Sequence, residues 1–260
     1  MNAELLIMFS LDCDRAYLYA HPERELTRDE VARYDGALAR RSTGMPAQYI
    51  TGHQEFWGMD LIVSPAVLIP RPETEHVVEA VLGLAAVAVP ALRLVDVGTG
   101  SGAIALALAS ELKAAEIHAT DISAAALEVA RANAARHQLS SRIEFHQADL
   151  LAGLPQGKFD FVVSNPPYVG ESEEESVQLE VRKFEPRNAV FGGPSGLEVI
   201  ERLIPHAREA LVPDGWLVFE ISGTIADGVR KLLAGWSEVE VKKDLQGIDR
   251  VVMARKTAKG

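Results

Sequence analysis

The sequence predicts an α/β fold: a mostly parallel sheet covered by helices, closed by a terminal antiparallel hairpin, and preceded by a small helical N-domain and a β-hairpin linker. Three observations predict it. From about residue 92, short apolar strands alternate with stretches of helical periodicity, which is how a buried parallel sheet reads. The first of these strands runs into a glycine-rich loop and a helix start, Leu94-Val95-Asp96-Val97-Gly98-Thr99-Gly100-Ser101-Gly102-Ala103. The last two strand-like segments, Glu238 to Leu245 and Arg250 to Ala254, lie too close in sequence for a crossover helix, so they pair as a hairpin.

Taken in order, residues 1–47 read as the helical N-domain. Leu5, Leu6, Met8 and Phe9 form one apolar group, and Ala16, Tyr17, Leu18 and Ala20 another. Thr27-Arg28-Asp29-Glu30 has the pattern of a capping box, with Glu30 reaching back to Thr27. Val31, Tyr34 and Leu38 follow at helical spacing until Gly44 and Pro46 stop the helix. Residues 48–70 change character. Tyr49-Ile50, Phe56-Trp57 and Leu61-Ile62-Val63 are aromatic or β-branched, with Gly52 and Gly58 between them, so a hairpin linker is expected.

Residues 71–260 form the main domain. Arg71-Pro72-Glu73-Thr74 leads into a helix through Val77, Val78, Val81 and Leu82. Strands are expected at 92–96, 115–120, 142–147, 159–164 and 216–221, with helices at 102–113, 123–137 and 195–211. Pro213-Asp214-Gly215 is a tight turn into the last parallel strand. Glu171 to Ser176 is a polar stretch, read as a solvated loop or helix start.

At 260 residues, 48% hydrophobic, the chain is long enough to bury a sizeable core in one large or two unequal domains. A net charge of −11 and a pI near 5.2 argue against a protein that lives on phosphate backbone, so no direct nucleic-acid binding is expected. Cys13 stands alone, which suits a reducing cytoplasm. No apolar run reaches the roughly 18 residues of a membrane span, and the N-terminus lacks the form of a secretory signal. A cytoplasmic monomer is expected. The seven histidines are scattered without paired-ligand spacing, so no metal site is expected.

The glycine loop carries the first chemical signal. Glycine permits tight turning and close approach of a ligand to the backbone, and the N–H groups that open the helix beyond Gly102 are free to bind polar atoms. Asp121 ends the next strand, 23 residues beyond Gly98, where an acid can take both ribose hydroxyls. A nucleoside cofactor in a Rossmann-like sheet follows. Gly98, Gly100 and Ala103 also satisfy the dinucleotide pattern of a dehydrogenase. Asp96 weighs against that alternative, because a carboxylate before the loop repels a pyrophosphate and suits a cationic tail. The acidic surroundings point to S-adenosylmethionine (SAM). Asp149-Leu150, after the third strand, can reach an adenine amine and pack on its face; the alternative is a helix N-cap.

Asn165-Pro166-Pro167-Tyr168 ends the fourth strand. Two prolines end the ladder and stiffen the backbone, which holds Asn165 at the mouth of a crevice beyond the strand ends. An amide, two carbonyls and an aromatic ring there suit a planar NH2 group. Alone the stretch is equally a rigid turn; its convergence with the loop, Asp121 and Asp149 favours function.

These residues resemble the class I methyltransferases that modify planar amino or amide nitrogens. More narrowly, the chain resembles the release-factor glutamine methyltransferases, or HemK-like proteins. The segments that narrow it are Pro46 to Gly52, Glu55-Phe56-Trp57-Gly58, Val67 to Glu75 with its Arg71-Pro72-Glu73-Thr74-Glu75 core, Phe184-Glu185-Pro186-Arg187, Gly192-Gly193 through Gly196-Leu197, and Asp244 to Arg250. The resemblance covers nearly the whole chain. It implies a Rossmann-like class I methyltransferase domain at 71–260, a linker at 48–70 and a substrate-recognition domain at 1–47. It implies N5-methylation of the glutamine in the Gly-Gly-Gln loop of class I peptide-chain release factors, with SAM as cofactor and S-adenosylhomocysteine (SAH) as product. Cofactor contacts fall by that analogy on Gly98, Thr99, Gly100, Ser101, Gly102, Asp121, Asp149, Leu150 and Asn165, and substrate contacts on Asn165, Pro166, Pro167 and Tyr168.

Two departures from the family stand out. The family carries a further helix ahead of the Asn2 to Leu6 stretch, so a trimmed N-domain or an upstream start is expected. Glu220-Ile221-Ser222-Gly223 has a serine inserted where the family reads Glu-Ile-Gly. The expected chemistry is an amide clamp: Asn165 and the Pro166 carbonyl each accept one N–H of the substrate amide, and Tyr168 packs on its plane. A ribosomal-protein glutamine, a nucleic-acid adenine amine or a non-catalytic SAM-binding role are the rival readings. Arg71 and Glu73 are read either as substrate contacts or as an interdomain hinge, and Phe56-Trp57 as linker core.

Overall fold

The computed structural model describes residues 2–86, 92–154 and 159–257. The N-terminal helices are α1 (Asn2–Leu11), α2 (Arg15–Ala20) and α3 (Arg28–Ser42). The capping box is present: the Thr27 hydroxyl accepts from Glu30 N while Glu30 Oε2 accepts from Thr27 N at 2.8 Å. Leu6, Ala37, Ala47 and Ile50 form the small core of this unit.

The linker differs from expectation at its start. Tyr49 and Ile50 lie in a short helix, α4 (Ala47–Thr51), not in a strand. Gly52, at φ +82, closes that helix in the left-handed conformation and donates to the Gln48 carbonyl. Tertiary contacts override the local β preference: Ile50 joins the N-domain core, and the Tyr49 hydroxyl donates to Val67 O at 2.6 Å. The hairpin itself is β1 (His53–Phe56) and β2 (Met59–Ile62). Trp57 and Gly58 turn it, both at positive φ, which matches the twist of a two-residue hairpin. Trp57 is held in that uncommon conformation by bonds from its N to Glu75 and from its indole Nε1 to Glu111.

The main domain follows as α5 (Glu75–Ala85), β3 (Arg93–Val97), α6 (Ala103–Glu111), β4 (Glu116–Asp121), α7 (Ala124–Arg136), β5 (Ile143–Gln147) and β6 (Phe159–Ser164). Next come β7 (Val169–Gly170), α8 (Leu179–Phe184), α9 (Arg187–Val190), β8 (Phe191–Gly193), α10 (Glu198–Ala210), β9 (Leu211–Glu220), α11 (Ala226–Leu232), β10 (Ser237–Lys243) and β11 (Asp249–Arg255). The polar stretch Glu171–Ser176 forms a 3-10 turn ahead of α8.

Seven strands make one sheet in the order β10-β11-β9-β6-β3-β4-β5. β3, β4, β5, β6 and β9 are parallel, while β11 runs antiparallel between β9 and β10. The terminal hairpin thus inserts its second strand next to the parallel core. Side chains alternate between the two faces. Leu94, Phe161, Val163 and Val218 pack with α5, α6 and the hairpin's Phe56 and Leu61, whereas Val95, Val97, Val162, Leu217 and Phe219 pack with α10 and α11. Pro213-Asp214-Gly215 is not a turn before β9 but a bulge within it: Phe159 faces Leu211, yet Phe161 faces Trp216, and Asp214 sits at φ +65. This topology puts the carboxyl ends of β3, β4, β5 and β6 on one rim.

Candidate active site

A cavity of about 520 Å³ opens on that rim. The glycine loop, Asp121, Asp149-Leu150 and Asn165-Pro166-Pro167 all line it, and the linker segment Pro65 to Leu68 closes one side. The sequence-predicted pieces therefore converge, with Gly102 and Tyr168 standing behind the wall rather than in it.

On the loop side, Gly98 (φ +71) and Gly100 (φ +56) face open space, since a Cβ on either would meet nothing within 4 Å. Gly102 does different work. A Cβ there would come within 2.8 Å of Leu106 and 3.3 Å of Ala130, so this glycine lets α7 pack on the start of α6. Gly98 N and Thr99 N both donate to Thr120 O at 2.9 Å, which ties the loop to β4. Asp121 accepts from Gly100 N and from Ser123 N, each at 2.9 Å, and burial raises its pKa. Asp96 lies beneath the loop, 2% exposed, accepting from Thr99 Oγ1 at 2.6 Å and Ala105 N at 3.3 Å. Its Oδ1 is buried with no partner among the described residues, and burial pushes the carboxyl up to about 7. Asp149 pairs with Arg202 at 2.5 Å, and no helix begins at it, so the capping alternative lapses.

On the side of Asn165, a chain of hydrogen bonds fixes the amide. Asn165 Nδ2 donates to Thr74 Oγ1 at 3.0 Å, and Thr74 Oγ1 donates to Glu220 Oε2 at 2.6 Å. The Tyr168 hydroxyl donates to Glu220 Oε1 at 2.8 Å. Glu220 is 1% exposed; burial raises its pKa, while the two hydroxyls and the nearby Arg250 charge pull it back. Burial raises the Tyr168 phenol well above its usual range. With Nδ2 committed to Thr74, the Asn165 Oδ1 is left without a partner among the described residues, on the cavity wall. The Pro166 carbonyl likewise accepts no hydrogen bond among them.

Sequence reasoning missed the braces. Thr74 and Glu220 were legible only as parts of longer matched segments. Asn133, fully buried, donates to Ile62 O and Ser101 O and accepts from Ile62 N, so one amide clamps the hairpin to the glycine loop. Gly192 and Gly196 leave room for the backbone of the Asn-Pro-Pro-Tyr stretch, because a Cβ on them would run into Pro167 O and Tyr168 O. Arg71 bonds Glu185 at 2.5 Å and Glu185 also accepts from Ile69 N, which favours the hinge reading of Arg71. Ser222, the inserted serine, bonds Thr224 at 2.7 Å and starts a short 3-10 turn directly after Glu220.

Comparison with known proteins bears on the whole chain. The Methyltransferase small domain family matches residues 82–183, and the PrmC N-terminal domain family matches residues 1–52. A release factor glutamine methyltransferase of Koribacter versatilis (strain Ellin345) is 57% identical over 257 residues, covering 98% of this chain and 91% of that protein. The chain belongs to the release factor glutamine methyltransferase family. As a member of it, the protein is a SAM-dependent methyltransferase with the class I fold. Among solved structures, a ribosomal protein L11 methylase from Lactobacillus delbrueckii subsp. bulgaricus is 26% identical, covers 72% of this chain and 80% of its own, and superposes with a TM-score of 0.51. The N-terminal domain of human METTL16, solved with SAH, is 19% identical, covers 78% of this chain and 77% of its own, and has a TM-score of 0.53; that likeness speaks to the fold alone.

Proposed function

We propose that the protein methylates the side-chain amide nitrogen (N5) of the glutamine in the Gly-Gly-Gln loop of class I peptide-chain release factors. The observation that carries this reading is the fixed orientation of Asn165. Its Nδ2 is committed to Thr74, so Oδ1 is presented as an acceptor. A substrate carboxamide needs acceptors for its two N–H groups, and Oδ1 with the Pro166 carbonyl supplies two on a rigid backbone. Fixing the amide in one pose lowers the entropic part of the barrier, and the two oxygens offset positive charge developing on the nitrogen. Tyr168, anchored through Glu220, holds the far side of the stretch in place. Its ring packs against the core behind the cavity wall, so Tyr168 serves this reading as a brace of the stretch and the expected packing on the amide plane is dropped.

The residues present fit SAM. Gly98 and Gly100 offer an open cradle, Asp121 carries the acid for a ribose, and Asp96 Oδ1 is an orphaned buried acceptor beneath the loop. Thr99, Ser101, Asp149 and Leu150 complete the lining on that side. Bound SAM supplies the methyl group on a sulfonium. Residues 1–47, with the linker at 48–70, serve release-factor recognition in this reading, and residues 71–260 catalysis.

The test is incubation with labelled SAM and a purified class I release factor, with DNA and ribosomal protein as competing substrates. Label on the Gly-Gly-Gln glutamine alone is the expected result. Label in DNA or ribosomal protein alone would overturn it. A parallel titration should find SAH binding and no NAD binding.

A further inference from the structure

Two of the histidines that look scattered in the sequence meet on the sheet. His118 on β4 and His146 on β5 point to the same face, with ring centroids 5.2 Å apart and His118 Nδ1 3.0 Å from His146 Nε2. Glu144, the register partner of His118, brings its carboxylate to 3.7 Å from His118 Nδ1 and 3.5 Å from His146 Nε2. We propose that His118, His146 and Glu144 form a binding site for one divalent transition-metal ion of the zinc type, separate from the cofactor cavity.

The geometry suits such an ion. A tetrahedral zinc sits about 2.0–2.2 Å from nitrogen and oxygen ligands, which sets those ligands roughly 3.3–3.5 Å apart. The three observed separations, 3.0, 3.7 and 3.5 Å, the last two to different oxygens of the Glu144 carboxylate, bracket that spacing, and a rotation of that exposed side chain brings a single oxygen to face both nitrogens. His118 is pre-oriented from behind. Its Nε2 faces Glu116 Oε1 at 2.8 Å, and Glu116 is itself gripped by Arg93 at 2.7 Å. A carboxylate on the far nitrogen is the usual device for fixing the tautomer of a ligating histidine. It places the proton on Nε2 and leaves the Nδ1 lone pair facing His146. The edge of the Phe159 ring against His118 fixes the plane. An incoming ion takes the place of the proton that bridges Nδ1 of His118 and Nε2 of His146; Nε2 of His146 gives that proton to solvent while its Nδ1 takes one from solvent, so both imidazoles bind neutral. Entry is open, because the Glu144 side chain is 66% exposed while His118 is 5% exposed. Two histidines and one carboxylate leave a fourth position for water.

An ion there would staple β5, which among the described residues is an edge strand paired to β4, to that neighbour. Asp121 ends β4 and Asp149 follows β5, so the staple lies upstream of two residues on the cavity wall. The inference does not depend on which molecule is methylated.

The test uses the full chain without an affinity tag, stripped with chelator and titrated with Zn²⁺ against a chromogenic competitor, with Co²⁺ as a spectroscopic reporter. One ion per chain, visible Co²⁺ absorption of a low-symmetry nitrogen and oxygen site, and a metal-dependent rise in melting temperature are expected. His146→Ala and Glu144→Gln, both on partly exposed side chains, should abolish the Co²⁺ band. Glu116→Gln should weaken affinity about 10–100-fold, and His76→Ala should change nothing. Absence of stoichiometric binding to the wild type, or equal binding by the His146 and Glu144 variants, would overturn the proposal.

Discussion

The two walls of the cavity are built by different means. The loop wall is local: glycines, backbone N–H groups and Asp121, knit together within about one βαβ unit and braced from outside by Asn133 and by Ser164, whose hydroxyl donates to Val97 O at 2.7 Å. The Asn165 wall is assembled from afar. Thr74 comes from before the domain's first strand and Glu220 from the end of β9, and their bonds span 91 and 146 residues. A wall made of backbone tolerates side-chain change; one made of a side-chain relay transmits every change to the reacting group. The cofactor side should therefore fail in stability and the substrate side in turnover.

The largest expected break in that contrast is Asn165→Ala. Loss of an acceptor aimed at developing charge should cut kcat by about 10²–10³-fold, while isothermal titration finds SAH affinity close to wild type. Unchanged turnover would remove the distinction between the walls. Asn133→Ala should do the opposite. It leaves backbone groups of Ile62 and Ser101 unpaired, at about 1–3 kcal/mol each when buried, so thermal melting should show the loss while kcat at saturating SAM holds.

Thr74→Val keeps the shape and removes the relay hydroxyl, which lets the Asn165 amide turn. A fall in kcat of about tenfold, roughly 1.4 kcal/mol, is expected without a change in the KM for SAM, and Thr74→Ser should restore most of it. The remaining effect is on pH dependence. The folded Asp96 carboxyl titrates at about 7, above its unfolded value of about 3.9. The stability it lends is complete below the unfolded value, falls as pH rises between about 4 and about 7, and is gone above that, a loss on the order of a few kcal/mol. Urea melts should show that slope in the wild type and a flatter one in Asp96→Asn.

The same contrast governs what the sequence could reveal. The loop wall was legible because its parts lie in order along one strand, loop and helix, and Asp121 falls at a fixed spacing. The parallel strands and the closing hairpin were legible from apolar runs and from the short gap before Arg250. Asn165 was legible as a rigid acceptor at a strand end. What orients it was not, because a threonine in a proline-rich entry and a glutamate ending a strand carry no local mark of a shared bond. Helix α4 escaped for a related reason: Tyr49 and Ile50 favour strands, and only their contacts with Val67 and the N-domain core decide otherwise. His118 and His146 are 28 residues apart and become neighbours only through strand register.

The central claim is that Thr74 and Glu220 hold Asn165 so that its oxygen meets the substrate amide. A crystal structure with SAH and a glutamine-containing peptide from the Gly-Gly-Gln loop tests it most directly. The account predicts the glutamine nitrogen within hydrogen-bond reach of Asn165 Oδ1 and the Pro166 carbonyl, with Asn165 Nδ2 still on Thr74. A glutamine whose carbonyl, rather than its nitrogen, meets Asn165, with the bond to Thr74 broken, would contradict it.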